Sequence, residues 1–258
     1  MKNKNGFDNR EDKKIAVLID ADNVSTRYIT HILDEVSNQG TPTYKRIYGD
    51  WTSPRLASWK EVLLKHSINP IQQYNYTFGK NSSDSALIID AMDILYSESV
   101  DGFCIVSSDS DFTRLATRLR ESGMMVIGMG EKKTPSPFIA ACEKFKYLEV
   151  LASITNENSD ETQKRAAGTA RKTASHESDR DMLIKTIRTI VAEISDEDGW
   201  AFLGELGNIL NRRLPDFDTR NYGAMKLTPL IESLNSFDIE SRKTSNPHVT
   251  HKFIRNRD

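Results

Sequence analysis

Cysteines and long apolar runs are both scarce in this chain of 258 residues, and each shortage excludes a class of protein. The two cysteines, Cys104 and Cys142, are too few for a disulfide scaffold and lack the paired spacing of a zinc site, so we expect two reduced core thiols. No apolar run approaches the ~18 residues that a transmembrane helix needs, and residues 1–14 contain no apolar signal-peptide core. The sequence therefore predicts a cytoplasmic protein that does not contact a membrane.

An excess of charge of either sign is missing as well. The chain has 35 Lys and Arg against 37 Asp and Glu, a formal net charge of -2, and 38% hydrophobic residues. This balance excludes a disordered polyelectrolyte and a histone-like basic protein. Any affinity for nucleic acid must come from a local patch, because binding through released counterions needs clustered Lys and Arg.

A stretch poor in apolar residues divides the chain. Residues 156–180 contain almost no Leu, Ile, Val or aromatic side chains and cannot bury enough surface to fold alone. Two domains are also the natural number for this length. We expect a disordered N-terminus over 1–12, a first domain over 13–152, a flexible linker over 153–180 and a second domain over 181–256.

Ahead of the linker, short apolar runs alternate with amphipathic stretches. This alternation predicts an α/β domain in which a central parallel sheet is covered by helices on both faces. The strand candidates are Ile15–Ile19, Tyr44–Tyr48, Pro70–Tyr74, Phe103–Val106 and Met124–Met129. The helix candidates are Tyr28–Val36, Leu56–Leu64, Ser85–Tyr96 and Phe112–Arg120.

The pattern changes after the linker. Three helical patterns are followed by two short strand candidates, which predicts a small helical domain with a β wing, similar to a winged helix. The helices are expected at Met182–Ile194, Leu203–Leu214 and Leu227–Leu234, and the strands at Phe237–Glu240 and Val249–Ile254.

Acidic residues follow the predicted strands, at the edge where open parallel sheets place their ligand sites. Asp20 ends the first strand, Asp109 follows the strand Phe103–Val106, and Asp84 begins the apolar stripe of a predicted helix. A carboxylate at the mouth of a buried strand costs desolvation free energy unless something positive compensates it. Three separate segments are thus expected to bring carboxylates to one edge of the sheet.

Helix capping is the competing explanation for several acidic residues near these strands. Asp22 or Asn23 could cap the helix that follows them, and Asp111 and Asp84 could each cap their own helix. Capping of this kind leaves Asp109 unexplained.

Two further acids lie on the helix that begins near Asp84. Asp90 and Asp93 point away from the apolar stripe, and we expect both to be solvated.

The ligand chemistry of the predicted cluster points to a hard divalent cation. Crowded carboxylates repel one another and take up protons unless a cation is present, and oxygen ligands without His or Cys favour Mg²⁺ or Mn²⁺. The implied chemistry is metal-assisted hydrolysis of a phosphodiester. The five histidines lie outside these motifs, so a nucleophilic side chain is not expected.

Two motifs in the first domain resemble a known family. The run LIDADN at 18–23, Lys80 with Asp84, and the run VSSDSDF at 106–112 resemble the NYN domain of the PIN-like nucleases. The resemblance covers about 13–150. It implies a three-layer α/β fold and divalent-metal-dependent cleavage of RNA.

The resemblance also implies roles for individual residues. The metal-binding and catalytic carboxylates would be Asp20, Asp84, Asp109 and Asp111, and the substrate-binding candidates are Asn23, Lys80, Ser107 and Tyr76, with Asp22 as a secondary candidate. Tyr76 alternates with two other aromatic residues in the chain. Such rings could stack bases of single-stranded nucleic acid, or they could pack in the core or in a hairpin.

The second domain resembles a LOTUS domain, also called OST-HTH. The matching segments are FLGELG at 202–207, LPDF at 214–217 and YG at 222–223. The resemblance implies a module that binds RNA or docks a protein partner. Arg212 and Arg213 are secondary candidates for phosphate contacts, although both could instead complement the dipole at a helix end.

The sequence as a whole predicts a metal-dependent endoribonuclease with a tethered module that binds single-stranded or structured RNA or a protein partner. A homo-oligomer is compatible with it. One alternative is a noncatalytic RNA-binding adaptor. Another is a haloacid-dehalogenase-type phosphatase with Asp20 as nucleophile and Asp22 as acid, although that family has a flap hairpin where this chain has a helical pattern.

Overall fold

The computed structural model describes residues 12–74, 82–156, 169–243 and 250–257. It divides into two compact units, Met1–Thr155 and Asn156–Asp258, which are described separately below. Helical residues occupy both ends of the segment 153–180, because one helix ends at Asn156 and the next begins at Thr169.

The first unit is built on a parallel sheet of six strands in the order β3-β2-β1-β4-β5-β6. The strands are β1 Lys14–Asp20, β2 Thr41–Gly49, β3 Asn69–Gln72, β4 Gly102–Val106, β5 Met125–Gly130 and β6 Lys144–Tyr147. In the register of the central strands, Ile19 lies opposite Val106 and Asp20 lies opposite Tyr48. The carboxyl ends of β1 and β4 are therefore adjacent.

Helices cover both faces of this sheet, as predicted. They are α1 Ile29–Ser37, α2 Trp59–His66, α3 Ser82–Tyr96, α4 Thr113–Glu121, α5 Ser136–Ala141 and α6 Leu148–Asn156. Alternate residues of β1 enter opposite cores: Ile15 and Val17 pack with α1 and α2, whereas Ala16 and Leu18 pack with α3 and α4. Because both faces are buried, the strand reads as a continuous apolar run.

Over its described residues the second unit contains three α-helices, a short helical turn at Thr219–Tyr222 and a small antiparallel sheet, in agreement with the predicted helices and wing. Its elements are α7 Thr169–Ile194, β7 Ala201–Phe202, α8 Leu203–Arg213, α9 Leu227–Leu234, β8 Phe237–Lys243 and β9 Thr250–Asn256, and its strands are ordered β7-β9-β8. A core that includes Ile187, Leu206, Leu230 and Ile254 joins the helices to one face of the sheet. The other face of the sheet carries Phe202 and His251, which are both exposed.

Both cysteines are buried free thiols, which confirms the prediction from the sequence. Burial raises the pKa of Cys142 to about 12 and that of Cys104 further still. None of the helices in the described ranges combines the length and the apolar character that crossing a bilayer requires.

The expectation that Asp90 is solvated is wrong. Its carboxylate forms an ion pair with Arg46 and accepts a hydrogen bond from the hydroxyl of Tyr48, and both partners lie on β2. Tyr48 is fully buried. Burial and the adjacent carboxylate together raise the pKa of Tyr48 far above its usual value, so the phenol stays protonated and donates to Asp90. Asp93 is exposed, as predicted.

Candidate metal centre and nucleic-acid interface

The candidate site lies at the carboxyl edge of the parallel sheet, where β1 and β4 end side by side. Asp20 is the last residue of β1 and is only 1% exposed. Ser107 and Ser108 follow β4 and are also buried. Asp84 lies in the first turn of α3, a helix that packs against β1 and β2. Three segments that are distant in sequence thus meet at one edge, as expected from the pattern.

Hydrogen bonds from neighbouring residues fix the carboxylate of Asp20. The Asp22 backbone N–H donates to Oδ1 over 3.1 Å, while the Asn23 amide and the Ser107 hydroxyl donate to Oδ2 over 2.7 and 2.8 Å. These donors lower the pKa of Asp20, but its burial has the larger effect, and the net pKa is raised. Asp20 is therefore a preoriented carboxylate whose charge is only partly compensated.

Ser107 connects the two central strands through its hydroxyl. The hydroxyl donates to Asp20 and accepts the backbone N–H of Asp109 over 3.1 Å. Ser107 is fully buried, so its contacts are with protein atoms around the site. It positions the carboxylates of Asp20 and Asp109 relative to each other.

Capping was the competing explanation for Asp111, but it is Asp109 that caps the turn after β4. The Asp109 carboxylate accepts the backbone N–H of Asp111 over 2.9 Å and caps the single helical turn Ser110–Phe112. One oxygen of Asp109 is thus held by the turn. Asp111, in the first turn of the same short helix, is exposed.

Asp22 and Asn23 do not cap the following helical turn either. Asn23 donates to Asp20, and the exposed Asp22 lies 3.6 Å from the guanidinium of Arg55. Asp84 is the third residue of α3, which places it inside the helix instead of at the capping position before it.

Asp84, Asp109 and Asp111 form a compact acidic group. Each offers a carboxylate oxygen, and these three oxygens lie within 4.8 Å of one another. Three hard oxygen donors at this spacing fit Mg²⁺ or Mn²⁺. Asp20 lies outside this group, although its charge is near enough to affect Asp84.

The crowding of these carboxylates contributes to a raised pKa at Asp84. Burial, and after it the charges of Asp20, Asp109 and Asp111, together raise its pKa from the ordinary 3.8 to about 6. Without a cation, the ionised cluster therefore opposes folding. A divalent cation would remove that opposition, so the electrostatics of this group suit a bound cation.

Replacing Asp84 with asparagine should stabilise the metal-free protein at neutral pH. The folded-state pKa exceeds the unfolded value, so the stability of the wild-type protein falls as pH rises from about 4 to about 6 and stays low above that range. The full difference corresponds to ~3 kcal/mol, and screening at the open side of the cluster reduces the expected gain to ~1 kcal/mol.

Chemical unfolding in chelator at pH 7.5 and pH 4 measures this effect. Asp84→Asn should increase the free energy of unfolding at pH 7.5 and leave it unchanged at pH 4. Asp93→Asn, on the exposed face of the same helix, should not increase it at either pH. Excess Mn²⁺ should stabilise the wild-type protein more than the Asp84→Asn variant. A variant that is less stable than the wild type at pH 7.5 would contradict the assigned repulsion.

Two predicted substrate contacts, Tyr76 and Lys80, lie outside the described residues. Tyr74, at the end of the described part of that segment, is 57% exposed. The roles of Tyr76 and Lys80 as RNA contacts stay predictions.

The arginines predicted in the second unit differ in their surroundings. Arg213 forms an ion pair with Glu193 of α7, whereas Arg212 is exposed at the end of α8. Both lie in the last turn of α8, where a positive charge complements the helix dipole.

The sequence reasoning missed an aromatic and basic surface on the solvent face of the wing, which we call the wing face. Its members are Trp200, Phe202, Arg242, His251, Phe253 and Arg255. The guanidinium of Arg242 stacks 4.4 Å from the ring centre of Phe253, and that of Arg255 lies 4.8 Å from a ring centre of Trp200. The alternation of His251, Phe253 and Arg255 along β9 is the signal that could have revealed this face.

Comparisons with known proteins agree with both motif-based assignments. The family model described as the NYN domain matches residues 14–149, and the model described as the OST-HTH/LOTUS domain matches residues 177–249. No curated protein sequence matches this chain.

Three solved structures show limited similarity to the chain. A protein of unknown function from Vibrio parahaemolyticus is 20% identical, with 56% of this chain and 94% of that chain covered and a TM-score of 0.43. An uncharacterized protein from Nitrosomonas europaea is 27% identical, with 38% and 82% covered and a TM-score of 0.27. MurG from Acinetobacter baumannii is 11% identical, with 52% and 41% covered and a TM-score of 0.36. Similarities of this size do not establish a shared fold.

Proposed function

Because this chain belongs to the NYN domain family and carries an OST-HTH/LOTUS domain, we propose that it is a divalent-metal-dependent endoribonuclease. NYN domains are PIN-like nuclease domains, and a LOTUS domain suggests RNA binding. The observation that carries the proposal is the group of three carboxylates, Asp84, Asp109 and Asp111, at the carboxyl edge of the sheet.

In this proposal Asp84, Asp109 and Asp111 hold Mg²⁺ or Mn²⁺, and Asp20 adds a fourth carboxylate at the buried end of the site. The bound ion would lower the pKa of a water molecule and stabilise negative charge on the departing oxygen. Asn23 and Ser107 keep the Asp20 carboxylate in one orientation through their hydrogen bonds. The cap that Asp109 forms on the turn after β4 fixes the orientation of its own carboxylate.

The raised pKa of Asp84 makes metal binding depend on pH. Asp84, with a pKa near 6, holds a proton in mildly acidic solution and must release it before the group can bind a cation at full strength. Cleavage should therefore increase with pH across this range.

In the same proposal the second unit retains the RNA. The wing face presents rings and guanidinium groups to solvent, and such surfaces can stack bases of single-stranded RNA while contacting phosphates. Arg212 would be a further phosphate contact. The segment 153–180 would act as a tether that raises the local RNA concentration at the metal site. A protein partner docked on this unit is the alternative use of the module.

Incubation of the full chain with labelled single-stranded RNA tests the proposal. Cleavage is expected with Mg²⁺ or Mn²⁺ and not with chelator. The double variant Asp20→Asn plus Asp109→Asn should bind RNA without cutting it, provided that circular dichroism shows it is folded. An Asp93→Asn variant serves as the matched surface control.

The same assay separates the alternatives. RNA binding without cleavage by the wild-type protein under every metal condition would support the noncatalytic adaptor and contradict the nuclease. Hydrolysis of small phosphomonoesters with intact RNA would support the phosphatase. The structure does not favour the phosphatase. After β1 come a helical turn at Thr26–Tyr28 and then α1, and the described residues 21–37 contain no flap hairpin.

A further inference from the structure

A polar groove lies between the loop that follows Asp20 and the start of α2. It has a volume of about 250 Å³, and its polar lining includes Asp22, Ser25, Thr26, Arg55 and Ser58. Its apolar part includes Leu56 and Trp59. The lining begins at Ala21, the residue directly after Asp20, so a strand bound at the metal site can extend into the groove.

Arg55 is the basic residue in the described lining of this groove. Its side chain is 78% exposed, and within the described residues its ion pair is with Asp22, at 3.6 Å. A pair this long and this exposed contributes little stability, because water screens it. The guanidinium has five N–H donors, and one long ion pair engages few of them.

Two serines in the groove also have hydroxyls that are not used in capping. Ser25 and Ser58 stand at the capping positions before a helical turn and before α2, yet neither side chain bonds to the backbone of the helix it precedes. Both are exposed. Hydroxyls of this kind can donate to the oxygens of a phosphate or sugar.

The charge of the site explains why a cation is needed here. The edge of the sheet carries Asp20, Asp22, Asp84, Asp109 and Asp111, and an RNA strand carries a negative charge on every phosphate. A metal ion compensates only the phosphate that it contacts. A neighbouring phosphate would meet uncompensated carboxylates unless the protein supplies a cation at that position, and guanidinium groups match phosphate oxygens with two parallel hydrogen bonds.

We propose that Arg55 binds the RNA phosphate next to the one that is cut, and that Ser25 and Ser58 hold the same nucleotide in the groove. This assignment rests on the proposed function and adds to it the direction in which the RNA leaves the metal site, toward the β2 side of the sheet. Arg55 is a binding residue in this arrangement. It contributes to the affinity for RNA of any sequence, because a phosphate contact does not read bases.

Charge removal at Arg55 tests the proposal in the full chain. Arg55→Gln should raise the KM for single-stranded RNA about three- to tenfold while kcat changes less than about twofold. The slope of log Kd against log salt should fall by ~0.7, the value for one lost phosphate contact on a single strand. Lys60→Gln on α2 removes the same charge from an exposed side chain that lines the neighbouring, mostly apolar groove, and it should change neither KM nor the slope.

Binding is measured by fluorescence anisotropy in Mg²⁺ with Arg55→Gln added to the cleavage-silent double variant Asp20→Asn plus Asp109→Asn. This readout does not depend on turnover. If the wild-type protein binds RNA but never cuts it, the nuclease proposal fails on its own. If cleavage is normal but Arg55→Gln matches Lys60→Gln in KM, Kd and salt slope, the assignment of Arg55 is wrong.

A variant of Asp22 distinguishes phosphate binding from a structural ion pair. Asp22→Asn removes the competing partner and one negative charge, so RNA should bind about two- to threefold more tightly. If Arg55 only held Asp22 in place, Asp22→Asn would weaken binding as much as Arg55→Gln does, and that result would overturn the proposal. Arg55→Lys should retain the salt slope of the wild-type protein and part of its affinity, because it keeps the charge but loses the two-point geometry.

Discussion

Replacing Asp84 with asparagine is expected to lower the rate of metal-dependent RNA cleavage at least about a hundredfold, even though the same change stabilises the metal-free protein. Loss of a group that only supports a metal ligand already costs about ten- to a hundredfold in affinity or activity, so loss of a ligand should cost at least as much. Asparagine keeps the size of the side chain and removes its charge. The opposite signs of the two effects follow from one cause, the concentration of negative charge at Asp84.

Single-turnover cleavage with saturating Mn²⁺ measures this loss, and isothermal titration with Mn²⁺ measures the lost metal affinity. Asp93→Asn, three turns from the start of the same helix and exposed, should stay within about twofold of the wild-type rate. A residual rate above a tenth of that of the wild-type protein would remove Asp84 from the metal ligands. An unchanged rate with unchanged Mn²⁺ affinity would place the metal elsewhere.

Asp90→Ala is expected to destabilise the first unit by ~2 kcal/mol. The change would leave the Arg46 guanidinium without its ion-pair partner and the buried Tyr48 hydroxyl without its acceptor. Removal of one partner from a fully buried pair costs ~3–5 kcal/mol, and a smaller value applies here because the Arg46 side chain is 27% exposed. The cost arises mainly from the two groups left unpaired.

Urea unfolding of the full chain, followed by a probe of the first unit, measures the effect. Asp93→Ala on the same helix should change the free energy of unfolding by less than ~0.5 kcal/mol. The double variant Asp90→Leu plus Arg46→Met should recover part of the loss, because apolar side chains can replace such a pair without leaving a charge behind. If Asp90→Ala and Asp93→Ala had equal effects, the contact between α3 and β2 would contribute nothing measurable.

Much of the first unit could be predicted from local pattern. Strands buried on both faces give unbroken apolar runs such as Ile15–Ile19, and the intervening amphipathic stretches give helices. The strand pattern also predicted that Asp20 and Asp109 lie at the same edge, because parallel strands place their carboxyl ends there. The strand at Lys144–Tyr147 and the short helix at Ser136–Ala141 were not predicted, since four and six residues give too little periodicity.

Predictions that depended on partners distant in sequence were less successful. Asp90 was placed in solvent because a helical projection shows only its own helix, whereas β2 supplies both Arg46 and Tyr48. Capping was considered for Asp111 and not for Asp109, whereas Asp109 caps the turn, because the backbone conformation of the turn decides which side chain reaches an N–H. Arg55 carried no signal in the sequence, since its significance comes from its distance to Asp22.

The sequence by itself determined the two domains' fold classes, the edge of the sheet where acidic residues gather and the hard-oxygen character of the candidate metal site. These features depend on periodicity and on residue type, which are local properties of the chain. The tertiary structure decided that Asp84, Asp109 and Asp111 form the close group while Asp20 is held by Asn23 and Ser107. It also decided that rings and guanidinium groups stack on the wing face, because such contacts depend on strand register and side-chain distances that a linear pattern does not contain.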